Sequence, residues 1–201
     1  MDFTAFRQFV SLGFGHITAP GAMDHILFLI ALAAIYKWNE WRQALVVVTA
    51  FTIGHSITLT VAVLAPGLLP PSSLVEFLIP VTILATGIEN LLTRRAAGRG
   101  RWWRRGILAG GFGLVHGAGF AGYLSQLLPG SVGVPLLGFN VGLELGQGLV
   151  LCVAMVLLTG LDRAMTALSR SAGMAFRLRV AAVSLVVAVI GGVWAVERVP
   201  W

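Results

Sequence analysis

Four histidines and two acidic residues are the side chains of this sequence that could do chemistry in an apolar setting. All four histidines lie in or beside long apolar segments, and His116 sits in the glycine-rich stretch GFGLVHGAGFAG. Burying a polar group costs free energy unless it has a partner. Imidazole and carboxylate bind divalent transition metals, and imidazole suits nickel, cobalt, zinc and copper. The pattern predicts a metal site, and its candidate ligands are His16, Asp24, His25, His55, His116 and Glu144.

Each candidate also has an ordinary structural explanation. A single buried histidine is often hydrogen-bonded to a hydroxyl or a backbone carbonyl, and His55 has Ser56 and Thr52 near it in the sequence. Glu144 could be a proton-coupling carboxylate, and Asp24 could cap a helix, because aspartate is favoured at N-caps. The histidines share one depth range in the predicted spans, which favours a joint site, since ionisable groups inside membranes are usually functional.

The composition indicates which elements must position these residues. Of the 201 residues, 57% are hydrophobic and 11% are charged, and the mean hydropathy is +0.89. A soluble domain carries about 25% charged residues, so the sequence predicts an all-α, polytopic membrane protein with a single transmembrane domain, residues 1–201. A spanning helix needs about 20 mainly apolar residues. Six segments meet this requirement: 21–37, 42–66, 73–93, 106–128, 132–160 and 175–197.

The residues before the first span predict an amphipathic helix at the membrane interface. Phe3, Phe6, Val10 and Phe14 recur at helical spacing, and polar residues take the other face. The stretch GHITAPG then breaks the helix, because proline and glycine disfavour helical continuation. Such a break at membrane depth must be packed in protein or face a water-filled cavity, so it is a candidate re-entrant turn.

Two ladders of small residues predict close helix packing in the fourth and fifth spans. The first ladder consists of Gly106, Gly110, Gly113 and Gly117, and the second of Gly138, Gly142 and Gly146. Small residues at these spacings let helix backbones approach each other within a membrane.

The basic residues predict the orientation of the chain. The formal net charge is +6, and most of the 14 Lys and Arg residues fall in the connections after the first, third and fifth spans. By the positive-inside rule these connections are cytoplasmic, so both termini face outside. The clustering also argues against nucleic-acid binding, because no surface of interleaved basic and aromatic residues is present.

Further polar residues lie near the candidate ligands or below them. Asn140 and Gln147 share a segment with Glu144, and we interpret them as neighbours of the metal site. Glu89 and Asn90 end the third span and could line an exit path toward the cytoplasm. Alternatively, they simply lie at the interface beside the arginine-rich connection that follows them.

Five motifs occur in order along the chain: HITAPGAMDHILFL, TAFTIGHSITL, IEN, FGLVHGAGFA and FNVGLELGQ. Together they resemble the HupE/UreJ family of membrane proteins. The resemblance implies a nickel or cobalt permease, associated with hydrogenase or urease accessory functions, in which histidine and acidic motif residues are needed for metal passage. It implies functional motif positions for His16, Asp24, His25, His55, His116 and Glu144. The spacing from His16 to Asp24 is longer here than the family's usual one.

Together, the sequence and the resemblance predict a transporter, not an enzyme, for a divalent transition metal ion in a bacterial inner membrane, in contact with lipid. Nickel is expected first and cobalt second, with zinc and copper as alternatives. Two other functions stay open. One is an intramembrane metal-dependent hydrolase of the zinc type, in which the metal activates water. The other is a metal sensor or chaperone. Homo-oligomers and partners from hydrogenase or urease maturation stay open as well.

Overall fold

The computed structural model describes residues 3–93, 102–127 and 133–200, and within these ranges the chain is α-helical with no strand. The arginine-rich residues 94–101, on which much of the predicted orientation rests, lie outside them. Two 3₁₀ turns, Trp38–Glu40 and Pro66–Leu68, flank the third helix. The helices of the described ranges are α1 (Phe3–Thr18), α2 (Met23–Ala33), α3 (Trp41–Leu64), α4 (Ser72–Thr93), α5 (Trp102–Leu127), α6 (Gly133–Ser169) and α7 (Ala172–Glu197).

The protein is a multi-pass membrane protein. Five helices of the described chain, α3 to α7, are long and apolar enough to cross a membrane. Helices α1 and α2 meet the same test only as a pair, bent by 70° at the turn that contains Pro20 and Gly21. The predicted first span, 21–37, contains α2, which has 11 residues. At 1.5 Å per residue it covers about 16 Å of a core about 30 Å thick, so it reaches spanning length only together with α1.

Helix α1 packs lengthwise on α6, and the two helices run in the same direction. The second glycine ladder makes this contact: Gly138 lies against the backbone of Phe6. One turn further along both helices, Gly142 lies against Val10. Helix α1 is thus part of the bundle, a contact that the predicted interfacial position does not foresee. The glycine surface of α6 lets the two backbones approach closely, which is what favours helix association in lipid.

Helices α3 and α5 also run side by side in the same direction. Gly113 lies on the backbone of Phe51, and Gly117 lies on the backbone of His55. A side chain at either glycine would overlap these atoms, so the first ladder is confirmed as a close-packing surface. The contact sets the backbone beside His116 directly against the helix turn that carries His55.

The short helix α2 is enclosed by the longer helices. Phe28, Leu29 and Ala31 are at most 1% exposed, and α2 contacts α3, α4, α6 and α7. A helix that is apolar on all sides is stable when it is surrounded by other elements. This enclosure carries the polar first turn of α2, with Asp24 and His25, into the interior of the bundle.

Candidate metal site

Four helices bring the four histidine rings together, and we call this group the histidine cluster (His16, His25, His55 and His116). Each ring comes from a different helix: α1, α2, α3 and α5, respectively. His25 lies at the centre, with its ring centroid 4.7 Å from His16, 5.0 Å from His116 and 6.0 Å from His55. The 70° bend between α1 and α2 brings His16 at the end of α1 close to His25 at the start of α2.

Several buried ring nitrogens of the histidine cluster have no hydrogen-bond partner among the described residues. They are Nε2 of His16, Nε2 of His25, both ring nitrogens of His55 and Nδ1 of His116. An unsatisfied buried polar atom costs about 1–3 kcal/mol, and native structures contain few of them. Such a group of unpartnered atoms is best explained by a bound cation, which would accept one lone pair from each histidine that coordinates it.

The hydrogen bonds that the cluster does make orient two of its rings. His25 Nδ1 lies 3.0 Å from Asp24 Oδ1, and because an ionised carboxylate only accepts, this nitrogen carries the proton. The Thr82 hydroxyl donates to the Ile79 carbonyl at 2.7 Å and lies 2.9 Å from His116 Nε2. With its one proton assigned to the Ile79 carbonyl, the hydroxyl accepts from His116 Nε2. His25 Nε2 and His116 Nδ1 thus keep their lone pairs, as in metal-binding histidines whose other nitrogen is hydrogen-bonded.

Asp24 brings a negative charge to the histidine cluster. Its carboxylate also accepts a hydrogen bond from the backbone N–H of His25 at 2.8 Å, at the positive end of α2. Its side chain is 24% exposed. Asp24 thus lies in the first helical turn and accepts two hydrogen bonds from His25. Its negative charge could offset part of the charge of a divalent ion.

The candidate ligand atoms form two groups that share His25. Within each group, one nitrogen or oxygen atom of every member lies within 4.8 Å of the others. The first group consists of Asp24, His25 and His116, and the second of His16, His25 and His55. Both sets combine donors that nickel, cobalt, zinc and copper accept, so the residues present fit a transition metal ion.

Aromatic rings enclose the histidine cluster on its other sides. Phe120 stacks on Phe139 at 5.2 Å and lies 4.1 Å from the ring of His16. Phe51 lies 5.1 Å from His116. An apolar shell of this kind controls how water reaches a metal and how strongly charges act there. Sequence reasoning did not single out these rings, although each lies within one of the recognised motifs.

A cavity of about 380 Å³ leads from the histidine cluster to the protein surface. His16, Asp24, His25 and His116 line it, together with the exposed residues Glu76 and Arg198. Because Glu76 lies near the start of α4 and Arg198 directly follows α7, the mouth lies at that end of the bundle. The sequence prediction did not include either residue, since both look like ordinary helix-end charges.

Glu144 lies outside both ligand groups, unlike the other predicted ligands. Its carboxylate accepts a hydrogen bond from Thr49 of α3. Its predicted neighbours pair with α3 in the same way: Thr52 donates to the Gln147 side chain at 2.5 Å. Ser56 donates to the Asn140 side chain at 2.7 Å. The three α6 residues therefore form a row of hydrogen bonds to α3, the helix that also carries His55.

Glu89 and Asn90 are engaged by a buried arginine. Arg105 donates to Asn90 Oδ1 at 3.0 Å and lies 3.4 Å from the Glu89 carboxylate. The Asn90 amide donates to the Ala31 carbonyl of α2 at 2.8 Å. The residues predicted to line an exit path thus connect α2, α4 and α5 instead of facing the histidine cluster.

A second buried arginine, Arg179, binds the chain directly after the C-terminal end of α2. Arg179 is 1% exposed, donates to the carbonyls of Ala34 and Tyr36 at 3.1 and 3.0 Å, and pairs with Asp162 at 2.9 Å. We call Arg105 and Arg179 the arginine pair. They lie toward the end of α2 that is opposite the histidine cluster.

Comparison with protein families gave one match for this chain. The model of the family described as HupE / UreJ protein matches residues 2–198, which is nearly the whole chain. No curated protein and no solved structure matched the chain. A match of this extent covers the histidine cluster, the arginine pair and all the described helices.

Proposed function

We propose that this chain, which belongs to the HupE/UreJ family of nickel and cobalt accessory or transport proteins, moves a divalent metal ion across a bacterial inner membrane. Nickel is the proposed substrate, with cobalt second. The protein would act as a transporter and not as an enzyme. The observation that carries the proposal is the set of buried, partnerless ring nitrogens beside Asp24, at the inner end of a cavity that reaches the surface.

The proposed first step is capture of the hydrated ion at the cavity mouth. Glu76 offers an exposed carboxylate there, and Asp24 offers a second one at the inner end. The ion would exchange water for imidazole and carboxylate ligands of the histidine cluster. Conduction requires binding that is strong enough to replace hydration and weak enough to allow release, which neutral imidazoles and one carboxylate support.

Release at the opposite end requires a change at the arginine pair. A cation that moves along α2 from the histidine cluster would meet Arg105 and Arg179, which are both buried. Like charges at close range repel strongly in an apolar interior. We therefore interpret this structure as a state that is closed at the arginine pair and accessible from the cavity mouth. In the open state, Arg105 would leave Glu89 and Asn90, so these two residues could then face the ion.

The test is metal uptake into proteoliposomes that contain the purified full chain and an internal metal-sensitive dye. Uptake should be saturable, and His116→Ala should reduce its rate at least tenfold, since it removes a nitrogen that has no other partner. Asn39→Ala, an exposed change far from the cluster, is the matched control. Parallel runs with nickel, cobalt, zinc and copper rank the substrates.

Each negative result in this assay has a specific meaning. Uptake no faster than in empty liposomes contradicts transport, and saturable binding without flux would indicate a sensor or chaperone. Zinc-dependent hydrolysis of a lipid or peptide that is lost in His116→Ala would indicate the metallohydrolase instead. Uptake by His116→Ala at the wild-type rate would show that the cluster is not the path.

A further inference from the structure

We propose that the metal ion occupies two successive positions inside the protein and that His25 is a ligand in both. The outer position consists of Asp24, His25 and His116, and the inner position of His16, His25 and His55. This inference rests on the proposed function for its direction of movement, but the two positions follow from the geometry of the histidine cluster.

A single ion cannot reach all five residues in this structure. With metal–nitrogen distances of about 2.1 Å, two ligands of one ion lie at most about 4.2 Å apart. The candidate atoms come within 4.8 Å of one another only as two groups of three, not as one group of five. Small side-chain shifts would close either group around an ion.

His25 is placed to serve both groups in turn. Its ring lies 5.0 Å from His116, 4.7 Å from His16 and 6.0 Å from His55, and it is the member that the two groups share. A neutral imidazole offers one lone pair, so His25 binds one ion at a time. Asp24 faces Nδ1 of His25, and the nitrogen without a partner is Nε2. His25 would therefore bind the outer ion through Nδ1, with its proton moved to Nε2, and the inner ion through Nε2, with its proton on Nδ1. The two positions exclude each other, because only one nitrogen has a lone pair at a time.

The cavity gives the order of the two positions. All three residues of the outer position line it, and the Asp24 side chain is 24% exposed. In the inner position, His16 and His25 line the cavity, but His55 does not and is 0% exposed. The position with the carboxylate lies nearer the surface, where a negative charge favours capture of a divalent ion. The inner position has neutral ligands only, which weakens retention and favours onward movement.

The test is cobalt binding to the purified full chain in detergent, because the absorption spectrum of Co²⁺ reports its ligands. Wild type should bind one Co²⁺ per chain. His55→Ala leaves the outer position and Asp24→Asn favours the inner one, so each should still bind one ion, with different spectra. His25→Ala removes a ligand from both positions and should weaken binding more than the ~10- to 100-fold typical of outer-shell changes.

Three results would overturn the two-position proposal. They are two ions bound per wild-type chain, identical spectra for His55→Ala and Asp24→Asn, or a loss of binding in either variant as complete as in His25→Ala. Size-exclusion profiles check folding, and His55→Gln and His25→Gln replace any alanine variant that aggregates. Because the readout is binding, the expected spectra without flux would contradict the transport function alone. Flux with one invariant spectrum would contradict the two positions alone.

Discussion

The histidine cluster and the arginine pair are both buried and polar, but they differ in how far their polar groups are paired. Arg179 has two backbone carbonyls and the Asp162 carboxylate as partners, although its Nε has none among the described residues, and Arg105 has Asn90 and Glu89. In the histidine cluster, His55 has no partner for either ring nitrogen within the described part of the chain. The two regions lie at opposite ends of the short helix α2.

This difference separates a structural role from a binding role. Buried charges that are paired and hydrogen-bonded hold elements in place, and removing one partner is costly because the other is left uncompensated. Buried nitrogens without partners destabilise the metal-free protein, so their presence is explained by a ligand. Stability measurements on the two regions should therefore respond in opposite directions.

The largest expected effect comes from Arg179→Met. The change leaves Asp162 and two carbonyls of the α2 terminus without their cationic partner, so unfolding should become easier by about 3–5 kcal/mol. Thermal or denaturant unfolding in detergent measures it. Arg177→Met is the control, because Arg177 is exposed two positions away. Equal stability of both variants would mean that the arginine pair does not hold α2.

Gly117→Ala should be the next in size. A methyl group there overlaps the backbone of His55, and overpacking of this kind costs about 1–3 kcal/mol. Gly111→Ala is the matched control in the same helix, because nothing lies within 4 Å of its added carbon. Unfolding and Co²⁺ titrations of both variants measure the effect. If Gly117→Ala is as stable as Gly111→Ala and binds normally, the close contact beneath His55 is not required.

His55→Leu should act in the opposite direction to Arg179→Met. Replacing a ring with two partnerless nitrogens by an apolar side chain relieves unsatisfied polar atoms, and after repacking we expect about 1 kcal/mol of added stability. The measurement is unfolding of the metal-free protein in the presence of a chelator. His55→Gln, which stays polar, should bring no such gain. A loss as large as that of Arg179→Met would refute the contrast between the two regions.

The smallest expected effect is that of Glu89→Gln. The Glu89 side chain is 34% exposed and lies 3.4 Å from Arg105, and partly exposed ion pairs contribute about 0.2–1 kcal/mol. The loss should stay below 1 kcal/mol in the same unfolding assay, since Asn90 still holds Arg105. Asn90→Leu removes the buried partner and should cost more. If Glu89→Gln destabilises the protein more than Asn90→Leu, Glu89 and not Asn90 is the residue that holds Arg105 in place.

Much of the fold was predictable because it depends on local properties of the chain. Apolar runs of about 20 residues give spanning helices by length alone, and five of the six predicted spans correspond to helices long enough to cross. In the region of the first predicted span, the turn with Pro20 and Gly21 precedes an α2 of 11 residues, which reaches spanning length only together with α1. The partner of α1 was missed because helical periodicity identifies an apolar face without saying whether protein or lipid covers it.

The candidate site was predictable in its residue types but not in its grouping. The four histidines and Asp24 stand out in sequence, since buried ionisable groups are costly. Glu144 looked equivalent by depth and motif, yet the rotation of α6 turns it toward Thr49. Thr82 gave only the signal of one polar residue in an apolar span. Its bond to His116 depends on how α4 meets α5.

The sequence by itself determined that this is a membrane protein with imidazoles and a carboxylate at membrane depth, because hydropathy and residue chemistry are properties of each segment. Only the tertiary structure decided that two groups of candidate ligand atoms share His25 and that Arg105 and Arg179 lie at the other end of α2. Those facts depend on how helices that are distant in sequence rotate and approach each other. The glycine contacts, the break between α1 and α2 and the burial of α2 determine that arrangement.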